Sequence, residues 1–147
     1  TMDLSGLKWP LIIVVIVGIG FIASSPGINW MVGRYTQAVP GQDPEKDRRD
    51  EAGLTRIGGY LLYQWRYESA LNIMQTAVER YGASGANYWY NKYRMVKCLE
   101  KLDRMQEAYN TLQELIVASA GNIDQRVPDN DNLTLRAQKL KEVHDLQ

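Results

Sequence analysis

Residues 67–78, YESALNIMQTAV, recur in altered form at residues 105–116, MQEAYNTLQELI. The two segments are related by a shift of 38 positions, and the match extends upstream of both. Identical or similar residues occupy the pairs Ala70/Ala108, Asn72/Asn110, Gln75/Gln113, Arg56/Arg94, Ile57/Met95 and Leu61/Leu99. An internal repeat of this length indicates a domain built from two copies of one supersecondary unit.

The repeated segments have apolar residues at the three- and four-residue spacing of amphipathic helices. From residue 44 onward there is no sustained two-residue alternation of the kind that indicates strands. The sequence therefore predicts an all-α domain. Asp43 and Pro44 have the pattern of a cap followed by a first helical residue, and Asp131 or Asn132 is expected to cap the last helix. The predicted helices cover residues 44–64, 66–81, 85–101, 103–119 and 131–146.

The repeated unit resembles the tetratricopeptide repeat family. In that family, a helical hairpin has a small residue in its first helix, an Ala early in its second helix and a large apolar residue four positions later. The residues that fit this pattern are Gly58, Leu61, Tyr67, Ala70, Met74 and Ala77 in one unit, and Val96, Leu99, Met105, Ala108, Leu112 and Leu115 in the other.

The resemblance covers residues 47–120 and has three departures from the family pattern. The period is 38 residues, whereas the repeat of the family is about 34 residues long. The closing Pro is absent, with Gly82 in its place, and Val96 stands where Gly is usual. The resemblance implies two degenerate tetratricopeptide-like hairpins over residues 44–120. A generic bundle of helical hairpins is the alternative.

The end of the chain has the pattern of a capping helix. Stacked hairpins expose an apolar face at each end of the array, and terminal caps cover such faces. Leu133, Ala137, Leu140 and Val143 form one apolar stripe on the last predicted helix. We therefore expect residues 121–147 to form a loop and a helix that covers the second hairpin.

The N-terminal segment is the most apolar part of the chain. Residues 9–23, WPLIIVVIVGIGFIA, contain no charged side chain. With its flanks, the segment reaches about 20 residues, the length a helix needs to cross a hydrocarbon core of roughly 30 Å. We expect residues 1–25 to be a retained transmembrane helix, and the start Thr1-Met2 favours an unprocessed N-terminus. A cleaved signal peptide and a buried helix of a soluble protein are the alternatives.

The flanks of this segment suggest how it lies in a membrane. Trp9 and Trp30 flank the apolar run, so we expect both at membrane–water interfaces. Residues 26–43 contain Pro and Gly and are predicted to be an interfacial segment and linker. Lys and Arg are more numerous after the apolar run than before it, which favours a cytoplasmic C-terminal domain at a bacterial inner membrane or its organellar equivalent. A C-terminal domain in the periplasm or an equivalent space is the alternative. The basic residues are Lys8 before the run and Arg34, Lys46, Arg48 and Arg49 after it.

Composition and residue types argue against several functions. The 147 residues include 17 basic and 17 acidic side chains, so the electrostatic argument for nucleic-acid binding is absent. The single Cys98 cannot form an intrachain disulfide and is predicted to be a small packing residue. His144 is the single histidine, and no Cys or His spacing suits a metal. We therefore expect no catalytic residue, metal ligand or cofactor site, and no enzymatic activity.

Aromatic residues at the start of the second unit suggest partner binding. The resemblance to the tetratricopeptide repeat family implies a concave surface that binds peptides. If the repeats align as proposed, Tyr90, Tyr93 and Lys97 point to this surface, with Arg94 beside them. Aromatic and Arg side chains often dominate interface energies. The alternative is a packing role, in which aromatic residues of both units close the core together: Trp89, Tyr93, Trp65 and Tyr63.

These observations favour a non-catalytic, membrane-anchored scaffold. We expect it to contact the lipid bilayer and the other subunits of a larger membrane protein complex, with respiratory and photosynthetic assemblies as natural hosts. The alternative is a tethered adaptor or an assembly or translocation factor that captures partner peptides transiently. A tethered enzyme would require residues that the sequence does not contain.

Overall fold

The computed structural model describes residues 5–147, and all regular secondary structure in this part of the chain is helical, without a β-strand. The all-α prediction is thus confirmed over these residues. Residues 1–4, the start of the predicted transmembrane segment, lie outside the described range. The helices are α1 (Ser5–Ala23), α2 (Ser25–Arg34), α3 (Pro44–Tyr63), α4 (Tyr67–Tyr81), α5 (Tyr88–Lys101), α6 (Met105–Val117), α7 (Ala120–Ile123) and α8 (Asn130–His144).

The chain divides into two units, one ending at Arg34 and the other beginning at Tyr35. In the first unit, α1 is the one described helix that is long and apolar enough to cross a membrane, over Gly6–Ala23. None of that stretch is buried within the protein. A continuous apolar surface of this size is unfavourable in water, so α1 requires a lipid or protein environment.

A sharp break at Ser24 separates α1 from α2, as the Ser25-Pro26-Gly27 sequence predicts. The Ser24 hydroxyl donates a hydrogen bond to the Phe21 carbonyl oxygen at 2.5 Å. A Cβ atom on Gly27 would lie 1.8 Å from that same oxygen, so only glycine fits the junction. Residues 26–34 of the predicted interfacial segment and linker are helical and belong to the first unit.

Residues 35–43 pack onto the helices of the second unit. The Arg80 guanidinium donates through Nη2 to the carbonyl oxygens of Thr36 and Ala38, at 3.0 and 2.7 Å. The Ala38 N–H donates to the buried carboxylate of Asp50 at 2.9 Å. The Tyr35 ring covers Gly53, where a Cβ would lie 2.1 Å from it. This part of the predicted linker is held in place by α3 and α4.

Local sequence accounts for both capped helix starts in the second unit. Asp43 caps α3 as predicted, and its side chain accepts the N–H groups of Glu45 and Lys46. The last helix begins at Asn130, and Asp129 caps it by accepting the N–H of Asn132 at 2.9 Å. The prediction of Asp131 or Asn132 as this cap was wrong, because the helix begins before them.

Helices α3 to α6 each pack on the next in sequence, α3 on α4, α4 on α5 and α5 on α6, and α8 packs on α6 across the short helix α7. Ala70 and Ala108 are fully buried and let the helices of each hairpin approach closely. On α8, Leu133 and Ala137 are buried as the stripe predicts, whereas Val143 is exposed. The largest apolar side chains that are fully buried are Leu54, Leu61, Met74, Val96, Leu112, Leu115 and Leu133.

The two hairpins, α3–α4 and α5–α6, use the same turn at positions 38 residues apart. The Arg66 N–H donates to the Leu61 carbonyl at 2.9 Å, and the Arg104 N–H donates to the Leu99 carbonyl at 2.8 Å. These bonds form Schellman motifs, which need one residue in the left-handed region. That residue is Asp103 in the second hairpin, with φ 59°, and Trp65 in the first, with φ 61°.

A bulky side chain in this conformation is strained, whereas Asn and Asp tolerate it. We expect Trp65→Asn to raise the free energy of unfolding by about 1 kcal/mol. Trp65 is 78 % exposed, so the substitution removes little packing. Urea unfolding of the full chain in mild detergent, followed by circular dichroism, measures the effect. Tyr63→Asn is the control, because Tyr63 is similarly exposed but lies within α3. A loss of stability in Trp65→Asn would contradict the argument.

Candidate partner-binding site

One face of α5 carries Tyr90, Arg94, Lys97 and Lys101, spaced four, three and four residues apart. This spacing places the four side chains along a single stripe of the helix. The stripe lines a groove of about 840 Å³ between α5 and the C-terminal part of α3. A second concavity of about 440 Å³ adjoins it and shares Gly59, Tyr90 and Arg94. We call the two together the basic groove.

The basic groove collects positive charge in a chain whose net charge is zero. No Asp or Glu of the described residues lines either part of it. The sequence did not suggest this basic patch, because its cations come from α3, α5 and the loop after α7 and are brought together only by the fold. Folding separates the two signs at this surface. The cations that line the groove are Arg56, Arg94, Lys97, Lys101 and Arg126.

Arg94 lies at the floor of the basic groove and is only 8 % exposed. Its Nη2 atom donates to the Thr55 carbonyl oxygen and to the Asn91 Oδ1 atom, each at 2.8 Å. Its Nε atom is buried and has no hydrogen-bond partner within residues 5–147. Burial is the main reason that the pKa of Arg94 lies below its usual value. The guanidinium is therefore a nearly buried cation held by neutral groups.

Further polar contacts join α3 to α5 beneath the groove. The Asn91 Nδ2 atom donates to the Thr55 hydroxyl at 3.0 Å, and that hydroxyl donates to the Glu51 carbonyl oxygen at 2.8 Å. The Glu51 carboxylate accepts the backbone N–H of Asn87 at 3.1 Å. These buried hydrogen bonds fix α3 relative to α5 and so fix the position of Arg94.

Tyr90 holds two guanidinium groups at the junction of the two concavities. Arg94 and Arg126 lie 4.4 and 4.2 Å from the centre of its ring, within cation–π distance. Arg126 also pairs with Asp124 at 2.7 Å. This hydrogen-bonded pair raises the pKa of Arg126 and lowers that of Asp124. Arg126 is thus anchored at the rim, while its charge still faces the groove.

Exposed aromatic side chains form the other end of the groove. Tyr63 and Trp65 are 88 % and 78 % exposed, and Tyr67 lies beside them. Large aromatic side chains are usually covered in monomeric proteins, and they often anchor interfaces. Trp65 stays exposed although its backbone conformation is strained. Cations and uncovered aromatic surface therefore line the same groove.

The structure brings together three of the four predicted partner-binding residues. Tyr90, Arg94 and Lys97 line the groove. Tyr93 does not, since its hydroxyl accepts a hydrogen bond from Arg136 of α8 at 3.3 Å. The alternative packing role fails for Tyr63 and Trp65, which are exposed. Trp89 packs edge-to-face against Tyr88: its ring centre lies 4.7 Å from that of Tyr88.

The two predicted membrane-interface residues belong to the first unit. Trp9 lies in the first turns of α1 and is exposed. Trp30 is an exposed residue of α2, and the Arg34 guanidinium lies 5.2 Å from the centre of its ring. An aromatic ring beside a cation suits the polar edge of a bilayer.

Sequence reasoning missed several residues of the groove. Lys101 could have been predicted, because it continues the spacing that links Tyr90, Arg94 and Lys97. Arg56 aligns with Arg94 in the internal repeat and faces the same side. Arg126 lies in the loop after α7, and no periodicity connects it to α5. The aromatic end was missed because Tyr63 and Trp65 were considered as core residues.

Metal-binding and nucleophilic groups are sparse in the described part of the chain. It contains no cluster of three or more His, Cys, Asp or Glu side chains that could hold a metal ion. Cys98 is fully buried in α5, as predicted for a packing residue. Burial raises the pKa of its thiol to about 11. His144 is exposed near the end of α8.

Comparison with protein-family models, with curated proteins and with solved structures finds no match. The basic groove is therefore interpreted from its own geometry and charge.

We expect the Cys98 thiol to be protected in the folded protein. Its pKa is raised from 9.0 to about 11, so near pH 8 the thiolate fraction falls about a hundredfold relative to the unfolded chain. Labelling with an aromatic disulfide reagent should be slower by at least that factor without denaturant than with it. Because the unfolded thiol ionises first, stability should decline as pH rises above 9.0. Rapid labelling of the native protein would contradict the burial of Cys98.

Proposed function

We propose that this chain is a non-catalytic, membrane-anchored scaffold, an accessory subunit of a larger membrane protein complex. The observation that carries the proposal is the basic groove, an open surface with charged and aromatic side chains that no other described segment covers. Respiratory and photosynthetic assemblies are natural hosts for a subunit of this kind. The groove has the composition of a protein–protein contact, since Arg and aromatic residues supply most interface hot spots.

The apolar helix α1 supports membrane attachment. Its side chains over Gly6–Ala23 find no cover within the protein, and the stretch has the length of a bilayer crossing. Trp9 and Trp30 suit its two interfaces. In this proposal α1 anchors the chain in the bilayer and contacts neighbouring subunits, while the second unit makes contacts at the membrane surface.

A tetratricopeptide-like arrangement is part of the proposal. It is supported by the repeated Schellman turn at equivalent positions, with Trp65 and Asp103 in the left-handed conformation. It is also supported by the complete burial of Ala70 and Ala108, the small residues at which the hairpin helices approach. In this arrangement α3 and α5 are the first helices of their hairpins, and the basic groove lies along both. The helix α8 packs on α6 and acts as the cap.

A tethered adaptor is the second candidate. The openness of the groove and the exposure of Trp65 favour it, because a surface that remains uncovered in the free chain suits transient capture of peptides. An adaptor associates substoichiometrically and in a salt-sensitive manner, whereas a subunit is present in fixed proportion.

Native complexes distinguish the two candidates. We expect gentle detergent extraction, native gel separation and mass spectrometry to find the chain in a large assembly at fixed stoichiometry. Trp65→Asn should reduce the fraction in that assembly, since loss of an aromatic hot spot costs about 2 kcal/mol or roughly thirtyfold in Kd. The same variant is expected to gain stability, so unfolding would not explain the loss. Migration of the wild-type chain as a small free species would exclude the subunit role.

Membrane orientation is a separate prediction. We propose that the second unit faces the cytoplasm, because Lys and Arg near the apolar helix are concentrated on its C-terminal side. Lys141→Cys introduces an accessible thiol on α8, whereas the native Cys98 is buried. A membrane-impermeant maleimide should label the introduced thiol only after the membrane is opened. Labelling of intact cells or spheroplasts would place the second unit on the opposite side.

A further inference from the structure

Most of the cations that line the basic groove have no acidic partner among the described residues, whereas Arg126 at the rim pairs with Asp124. Outside the groove, the paired cations of the second unit include Lys92 with Glu114, Arg104 with Glu107, and Arg136 with Glu100. Within residues 5–147, Arg56, Arg94, Lys97 and Lys101 form no ion pair. The chain contains as many acidic as basic side chains, yet no carboxylate of the described residues lines this surface.

Among these four cations, the absence of a counter-ion costs the most free energy at Arg94, because it is the buried one. A buried cation without a carboxylate retains its desolvation penalty, which neutral hydrogen-bond acceptors only partly offset. The Thr55 carbonyl and the Asn91 amide supply such acceptors, and the Nε atom has none. A carboxylate arriving from outside would pair with the guanidinium in a partly desolvated site, where charge-assisted hydrogen bonds are strong.

The aromatic end of the groove adds a second requirement. Tyr63 and Trp65 offer apolar surface a short distance along the same groove as Lys97 and Lys101. An occupant that covers both ends must therefore carry an apolar or aromatic side chain as well as negative charge. A peptide segment combines the two. Nucleic acid is a poorer match, because binding domains for it are strongly basic, whereas this chain has a pI near 6.5.

We propose that the basic groove binds an acidic peptide segment of a partner protein. Asp or Glu side chains of the segment pair with Arg94, Lys97 and Lys101, and an apolar or aromatic side chain packs on Trp65 and Tyr63. This inference rests on the proposed function, since it names the chemistry of the partner that the scaffold holds. The groove thus selects its partner by charge at one end and by apolar contact at the other.

Selection from a phage-displayed library of random short peptides tests the proposal. The target is the full chain in nanodiscs of zwitterionic phosphatidylcholine. We expect the selected peptides to be enriched in Asp and Glu and to contain at least one aromatic or large aliphatic residue. Recovery of basic or uncharged peptides, or of no peptide above an empty-nanodisc background, would overturn the proposal.

Charge reversal then locates the binding site. Arg94→Gln risks disrupting the buried contacts between α3 and α5, so the exposed pair Lys97→Glu and Lys101→Glu is preferred. Together they should weaken binding of the best selected peptide by about tenfold or more, measured by fluorescence anisotropy. Lys141→Glu is the matched control, because both Lys101 and Lys141 are exposed residues in the last turn of a helix. Its Kd should stay within about twofold of wild type. Equal weakening by the control would overturn the assignment to the groove.

Three further outcomes can be distinguished from this result. If the double variant loses binding to vesicles that contain phosphatidylglycerol while no acidic peptide is selected, the occupant is a membrane surface and the peptide assignment fails. If the double variant remains in the native assembly while the Trp65→Asn variant is lost from it, the scaffold function stands but the proposal of an acidic partner fails. If acidic peptides bind but the chain migrates as a free species, the partner chemistry stands and the subunit role fails.

Discussion

Close approach of helices at Ala70 and Ala108 is the constraint on which the second unit depends. Neighbouring helices pack with their axes about 8–10 Å apart, and the shorter distances require small side chains at the contact. Both alanines are fully buried, and each lies in the second helix of a hairpin. Larger side chains at these positions would force the helices apart or into strained rotamers. Because neither position has exposed surface, a larger side chain there would have to displace its neighbours.

The same packing places polar residues where α3 meets α5. Apolar contacts join consecutive helices, whereas α3 and α5 are linked by hydrogen bonds among Glu51, Thr55, Asn91 and Arg94. Buried polar networks require that nearly every group find a partner. In this network the Nε atom of Arg94 has no partner within residues 5–147, and it lies at the floor of the basic groove. The strained Trp65 is at the same surface. An unpartnered buried polar atom and a strained backbone residue, each of which lowers stability, thus lie at one site. Such features are common where function competes with stability.

Local patterns in the sequence predicted most of the helical architecture. Asp43 and Pro44 specify the start of α3, and the recurrence of Ala70 at Ala108 indicates one small packing position in each hairpin. These features depend on neighbouring residues, so a single sequence contains them. The helix α2 was not expected over its whole length, because Pro26 and Gly27 also suit an irregular turn.

The candidate site was predicted only in part, for a different physical reason. Tyr90, Arg94 and Lys97 share a face of one helix, and their spacing reveals it. Arg126 reaches Tyr90 from a distant loop, and Tyr93 is drawn away by Arg136 of α8. Such tertiary partners leave no periodic pattern. The left-handed conformation of Trp65 was equally hidden, since turn chemistry would favour Gly, Asn or Asp at that position.

The order of helix contacts also has a kinetic consequence. Most helices of the second unit pack on their neighbours in sequence, so few long loops must close before stabilising contacts form. Domains dominated by such local contacts fold in microseconds to milliseconds, roughly, because the entropic barrier to forming each contact is small. The pair α3–α4 can form while later helices are still being synthesised, and each new helix then finds its packing surface already present. A chain that emerges from the ribosome N-terminus first can complete this domain progressively, without exposing an unfolded intermediate of its full length.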